Sequence, residues 1–67
     1  MRVQKELLTQ IAIYLQVNVY QVFTLAHDYY RGGLPEVSPR IDYEDFIRNG
    51  TIPQYVSDFI ELIVESI

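Results

Sequence analysis

The side chains best suited to chemistry in this sequence are one histidine, a group of three carboxylates and a pair of glycines. His27 is of a type that serves as a general base, but no nucleophile signature accompanies it and the chain contains no cysteine. Asp42, Glu44 and Asp45 lie where a helix is expected to begin, so capping and dipole compensation explain them better than paired-carboxylate catalysis. The glycines at 32–33 lack the Lys-Thr of a phosphate-binding loop. We therefore expect no enzymatic activity, no cofactor and no metal site.

Length and composition limit the possible classes further. A chain of 67 residues has room for one compact domain, because folding at this size hides only about 60% of the surface that the unfolded chain exposes. The longest apolar run, residues 11–15, is far shorter than the roughly 20 residues that span a bilayer, and the first six residues show no signal-peptide pattern. We expect a single cytoplasmic domain over residues 1–67, with no membrane partner.

Charge is distributed unevenly along the chain. The formal net charge is −4, and residues 1–40 carry four cations against three acids, whereas residues 41–67 carry one cation against six acids. A net negative charge opposes undirected attraction to nucleic acid or anionic lipid. Three of the acids, Asp58, Glu61 and Glu65, form a stripe on the last predicted helix. This stripe is either a solvated face or, alternatively, a surface that engages a basic partner or imitates a phosphate backbone.

Two helices are predicted in the first half of the chain. Over residues 3–16, apolar side chains recur at spacings of three and four and gather on one face, from which Ile13 points away. Asn18 is a good cap for a second helix, which runs to Arg31 and ends at the glycine pair. The predicted apolar side of this helix carries Val19, Val22, Phe23, Leu25, Ala26, Tyr29 and Tyr30, and its polar side carries Tyr20, Gln21, Thr24, His27 and Asp28.

A loop and two further helices are predicted in the second half. Prolines at 35 and 39 remove amide donors and favour an extended loop over residues 34–41, with room for a short ribbon or wing. Asp42 then caps a third helix of about two turns, which Gly50 ends. Thr51, with a glutamine three residues later, offers a capping box for a fourth helix that runs to residue 67. The predicted fold is all-α, a compact four-helix domain whose third helix is short.

The first predicted hairpin, residues 8–27, resembles a helix-turn-helix. Ala12 is the small residue that lets the second helix cross closely, and the inward positions are Ile11, Leu15, Val17, Val22 and Leu25. With Gly33-Leu34-Pro35 as a wing, and Arg40-Ile41 and Asp45-Phe46 beyond it, about residues 7–48 resemble small winged-helix proteins of the excisionase type. Gln16 stands where that family usually has a turn glycine, at a cost on the order of 1 kcal/mol. The structural alternative is a plain helical hairpin.

This resemblance implies DNA binding. Amide side chains at 18 and 21 suit adenine edges, and the arginines at 31 and 40 suit phosphates. The second helix has no Arg or Lys before Arg31, however, so few cations are available for phosphate neutralisation. The residues expected near nucleic acid are Asn18, Tyr20, Gln21, Thr24, Arg31 and Arg40.

The fourth predicted helix is apolar over more than half of its circumference, so it needs burial on more than one side. We predict that it contacts a second subunit through Tyr55, Val56, Phe59, Ile60, Ile63, Val64 and Ile67. Tyrosine is favoured at interfaces, because its large ring and polar tip are ordered at low entropic cost. The candidates are Tyr20, Tyr29, Tyr30 and Tyr55, whereas core filling explains Tyr14, Tyr43 and, alternatively, Tyr30.

Two functions follow from these patterns. The favoured one is a small non-enzymatic protein–protein interaction module that forms a homodimer through its apolar C-terminal helix. The alternative is a small helix-turn-helix DNA-binding regulator dimerised by the same helix. Electrostatics opposes the second hypothesis, because the net charge of the chain is negative.

Overall fold

Four helices make up the part of the chain that the computed structural model describes, residues 5–31 and 38–67. No strand occurs within those residues, and the predicted all-α four-helix fold is confirmed. The residues of the predicted loop at 34–37, and with them most of the predicted wing, lie outside the described residues. The helices are α1 (Lys5–Leu15), α2 (Val19–Arg31), α3 (Pro39–Asn49) and α4 (Gln54–Ser66).

A tight backbone turn joins α1 to α2. Gln16 has a φ of 60°, which is the left-handed conformation expected at this position from the sequence. The amide of Gln16 donates to the carbonyl of Ile13 at 3.0 Å, and that of Val17 donates to the carbonyl of Ala12 at 3.0 Å. This pair of bonds is a Schellman motif, which uses two of the orphan carbonyls at the end of α1.

A reciprocal pair of side-chain bonds starts α2. The backbone N–H of Gln21 donates to Asn18 Oδ1 at 2.9 Å, and the backbone N–H of Asn18 donates to Gln21 Oε1 at 2.9 Å. Because both bonds satisfy amides that the first turn leaves without intrahelical acceptors, they form a capping box. The predicted cap at Asn18 is confirmed.

Helix α3 begins earlier than predicted. Ser38 is its N-cap, accepting a bond from the Ile41 amide at 3.3 Å, and Pro39 is its first residue. Proline is tolerated there because the amide it lacks would have no acceptor in the first turn. Residues 39–41 are therefore helical rather than extended, and α3, with 11 residues, is as long as α1. Gly50 ends α3 as predicted, with a φ of 73° and its amide 2.8 Å from the Phe46 carbonyl.

Helix α4 starts without the predicted capping box. Its N-cap is Pro53, which has no side-chain acceptor for the amides of the first turn. Thr51 is two residues before the N-cap position and does not cap the helix. The Pro53 carbonyl accepts from the amides of Val56 and Ser57 at 3.1 and 3.0 Å. Gln54, the expected partner of Thr51, instead donates from Nε2 to the Asp58 carboxylate at 2.9 Å, one turn along the helix.

Helix α2 is the centre of the core, and the other three helices all pack against it. A fully buried aliphatic or phenylalanine side chain stabilises a fold by about 1.5–3 kcal/mol relative to an exposed one. The buried apolar residues are Leu8, Ile11, Ala12, Val22, Phe23, Ala26, Phe46, Tyr55, Val56 and Ile60.

The buried arc of α2 is rotated relative to the prediction. His27, expected on the polar side, is 7% exposed, whereas Leu25 and Tyr29, expected inward, are 42% and 62% exposed. The neighbouring helices cover one flank of α2: α3 packs beside Tyr20 and Phe23, and Tyr55 of α4 lies beside His27. The opposite flank is left to solvent.

Two predictions about exposure on α1 have different outcomes. Ile13 is 71% exposed, so its predicted outward position is confirmed. Tyr14, which we expected to fill the core, is 61% exposed, so this prediction is wrong.

Candidate functional site

Much of the predicted dimer face of α4 lies inside the core of the chain. Tyr55, Val56 and Ile60 are at most 4% exposed, so their side chains offer no surface to a second molecule, and this part of the prediction is corrected. The broad apolar arc of α4 is needed within the monomer, because α4 packs against both α1 and α2. Of the remaining predicted contacts, Phe59, Ile63 and Val64 are half-buried against the core and Ile67 is 73% exposed.

Two tyrosines at the C-terminal end of α2 form an exposed aromatic patch next to α4. The ring of Tyr29 lies 4.8 Å from that of Tyr30 and 5.9 Å from that of Phe59, measured between centroids. The Tyr30 hydroxyl donates to the backbone carbonyl of Asp58 at 3.3 Å. Tyr29 is nevertheless 62% exposed and Tyr30 41% exposed. These rings are thus held in place while a large part of each side chain remains exposed to solvent.

Carboxylates border this patch along α4. A solvent-open groove of about 290 Å³ runs between Tyr30 and α4, with Leu62 and the acids 58, 61 and 65 as its other lining residues. We call the patch and groove together the α2–α4 surface. Its residues are Tyr29, Tyr30, Asp58, Phe59, Glu61, Leu62 and Glu65.

The surroundings of the Tyr30 phenol at this surface disfavour its ionised form. Desolvation of its hydroxyl raises its pKa above the ordinary value, and the neighbouring Tyr29 and the carboxylates of Asp58, Glu61 and Glu65 raise it further. The surface also lies at the C-terminal end of α2, where the helix dipole adds partial negative charge. A cationic group is therefore the kind of ligand that this potential favours.

The side chains predicted to read DNA are largely engaged within the protein. Asn18 and Gln21 bond to each other's backbone, and Thr24 Oγ1 donates to the Gln21 carbonyl at 2.9 Å. The ring of Tyr20 meets the edge of Tyr43 at 5.4 Å.

The predicted phosphate contacts are placed on two different helices. Arg40 lies in the first turn of α3, where its Nε is 3.5 Å from a carboxylate oxygen of Glu44. Arg31 ends α2, but its side chain lies outside the part of the chain that the structure describes. The solvent-facing side of α2 also carries exposed Leu25 and exposed Asp28, which suit a phosphate backbone poorly.

A polar cluster joins α2, α3 and α4 inside the fold. The Tyr55 hydroxyl donates to Asp42 Oδ2 at 2.5 Å, and the ring of His27 lies 6.2 Å from that of Tyr55. His27 Nδ1 is 3.8 Å from a carboxylate oxygen of Asp28. Asp42 already accepts a hydrogen bond from Tyr55, and the His27 side chain is almost fully buried. We therefore infer that this cluster stabilises the packing of the three helices.

The α2–α4 surface was only partly visible in the sequence. The tyrosines at 29 and 30 and the acidic stripe each stand out by residue type, but nothing in their spacing places them together. Leu62 belongs to the apolar set of α4 and has no signal that separates it from the core residues. The contact between Asp42 and Tyr55, thirteen residues apart, is likewise invisible in any local pattern.

Comparisons with known proteins identified no protein similar to this chain. No protein-family model matches the chain, and searches of the curated proteins and of the solved structures found no match either. No helix among the described residues has the length and apolar character to cross a membrane.

Proposed function

We propose that this chain is a small, non-enzymatic protein–protein interaction module that works in the cytoplasm and binds its partner through the α2–α4 surface. The observation that carries the proposal is Tyr29, which is 62% exposed although its ring packs against Tyr30 and Phe59. Tyrosine and tryptophan dominate the energetics of protein interfaces. A ring that is already ordered loses little further entropy on binding, so it supplies affinity efficiently.

A different protein is a better partner for this surface than a second copy of the chain. In a symmetric dimer the same patch meets itself, which brings the Asp58 and Glu65 carboxylates of two copies together. Like charges placed opposite each other across an interface are destabilising. The predicted homodimer also loses Tyr55, Val56 and Ile60, which are core residues. Sedimentation of the purified chain over a range of concentrations tests this point, and we expect a monomer.

Selection from a displayed library of random peptides tests the proposal directly. We expect the wild-type chain to enrich a family of related peptides, and Tyr29→Ala to bind them about 30-fold more weakly, the loss of an anchor residue worth about 2 kcal/mol. Tyr14→Ala is the matched control, because Tyr14 is 61% exposed on α1 and lies outside the surface. Absence of any enriched family, or equal losses for the two variants, would refute the proposal.

The second candidate function is DNA binding by the α1–α2 hairpin. It is favoured by the tight left-handed turn at Gln16 and by the small residue Ala12, which is 3% exposed on α1. An amide-resolved NMR titration with a mixed-sequence duplex tests it at about 50 mM and then about 200 mM salt, since phosphate-driven binding fades steeply over that range. Salt-sensitive shifts at Asn18, Gln21 and Thr24 would favour this function over the first.

A further inference from the structure

We infer that the occupant of the α2–α4 surface is an arginine- and lysine-rich segment of another protein, a deeper assignment that rests on the proposed function. Every ionised side chain among the residues of this surface is an acid. The acids border aromatic and apolar side chains. The carboxylates can therefore pair with cationic groups of a partner, while the apolar side chains pack against the aliphatic stems that carry those groups.

The spacing of the acids fits an extended or helical basic segment rather than a single cation. Asp58 and Glu65 are seven residues apart on α4, which separates them by about 10 Å along the helix axis, since each residue rises about 1.5 Å. Glu61 lies between them on the same side of α4 and lines the same groove. Cations one and two helical turns apart on a partner segment match this stripe.

The two tyrosines favour arginine over lysine at this surface. A guanidinium group can stack on an aromatic face and pair with a carboxylate through two parallel bonds, whereas an ammonium group acts as a point charge. Tyr30 borders the groove with its ring and lies beside the Asp58 backbone, while Leu62 provides an apolar wall. An arginine placed between the ring and the α4 acids therefore has partners for both its plane and its charge.

Charge argues against the other macromolecules. Nucleic acid and anionic lipid are repelled by the same acids that attract a basic segment. A second copy of the chain has net charge −4 and presents the same acidic stripe.

The test compares two pairs of neutralising substitutions on peptides enriched by the wild-type chain. Asp58→Asn with Glu65→Gln removes two charges from the surface, and the asparagine retains an oxygen that can accept the Gln54 bond. Glu6→Gln with Glu44→Gln removes two charges from exposed positions on α1 and α3. We expect enriched peptides rich in arginine, binding about tenfold weaker in the first variant and nearly unchanged in the second.

The outcomes separate this inference from the proposed function. Enriched peptides that are neutral or acidic but still require Tyr29 would overturn the basic partner and leave the interaction module standing. Equal binding by both double variants would show that the local stripe is not recognised, which also overturns the inference. Failure to enrich any peptide would overturn both proposals. Circular dichroism confirms that each variant is folded, and Glu65→Gln alone replaces the first pair if that pair does not fold.

Discussion

Replacing Gln16 by glycine is expected to stabilise the fold. Gln16 has a φ of 60°, and a residue with a Cβ pays about 1 kcal/mol to adopt that conformation. Glycine removes this cost but loses more backbone entropy on folding, which offsets about half of the gain. The side chain of Gln16 is exposed, and the turn is bonded through backbone amides alone. The net expectation is a gain of about 0.5 kcal/mol, or a melting temperature higher by about 3 °C.

Gly50→Ala supplies the opposite perturbation in the same chain. Its φ is 73°, and a Cβ built there meets no atom within 4 Å, so the only penalty is conformational. Alanine also loses less backbone entropy on folding, which offsets about half of that penalty, so we expect a net loss of about 0.5 kcal/mol. Gln16→Ala is the control, because it removes the long side chain and retains the left-handed strain, and its stability should change by less than about 0.5 kcal/mol.

Urea unfolding followed by circular dichroism measures all three variants. A shift of the midpoint with an unchanged slope reports a change in the free energy of unfolding. Backbone strain at Gln16 is refuted as the source of the effect if Gln16→Gly leaves the midpoint unchanged or lowers it, or if Gln16→Ala stabilises the chain as much as glycine does. In the second case the side chain, and not the backbone conformation, would be the source of the effect.

Three further predictions concern single contacts. Tyr55→Phe removes the hydroxyl bonded to Asp42 and should lower the free energy of urea unfolding by about 1.5 kcal/mol, whereas Tyr14→Phe on the exposed edge of α1 should change it by less than about 0.5 kcal/mol. Asn18→Ala removes the cap of α2 and should cost about 1 kcal/mol in the same assay; an unchanged midpoint would contradict the capping role. The pKa of Tyr30 is raised in the folded chain, so its neutral phenol contributes to folding stability. That contribution to the free energy of unfolding is fully present below the ordinary tyrosine pKa and is lost as the pH rises through the pKa of the folded chain. An ultraviolet titration should therefore show one tyrosine that ionises later than in the unfolded chain, and stability should fall over that alkaline range.

Features that depend on a few consecutive residues were predictable from the sequence. Asn18 caps α2 because its side-chain oxygen accepts from a backbone amide three residues away. Gly50 closes α3 because a residue without a Cβ adopts positive φ at little cost. The pair Ser38-Pro39 shows the limit of such signals, since it is compatible with an extended loop and with the first turn of a helix. Nothing local distinguishes the two, and the prediction for residues 39–41 was wrong for that reason.

The helical periodicity identified which broad face of each helix is apolar, but not which edge of that face is covered. On α2, His27 and Leu25 lie on opposite edges of the buried arc, and the edge beside Tyr55 of α4 is covered, so the histidine is 7% exposed and the leucine 42%. The same holds for α4, where packing against α1 and α2 uses the side chains at 55, 56 and 60 that were predicted to bind a second subunit. The crossing of α2 and α4 also brings the two tyrosines beside the acidic stripe. Periodicity is a property of one helix, whereas coverage depends on neighbours that are distant in the chain, so the candidate site follows from the packing of the helices.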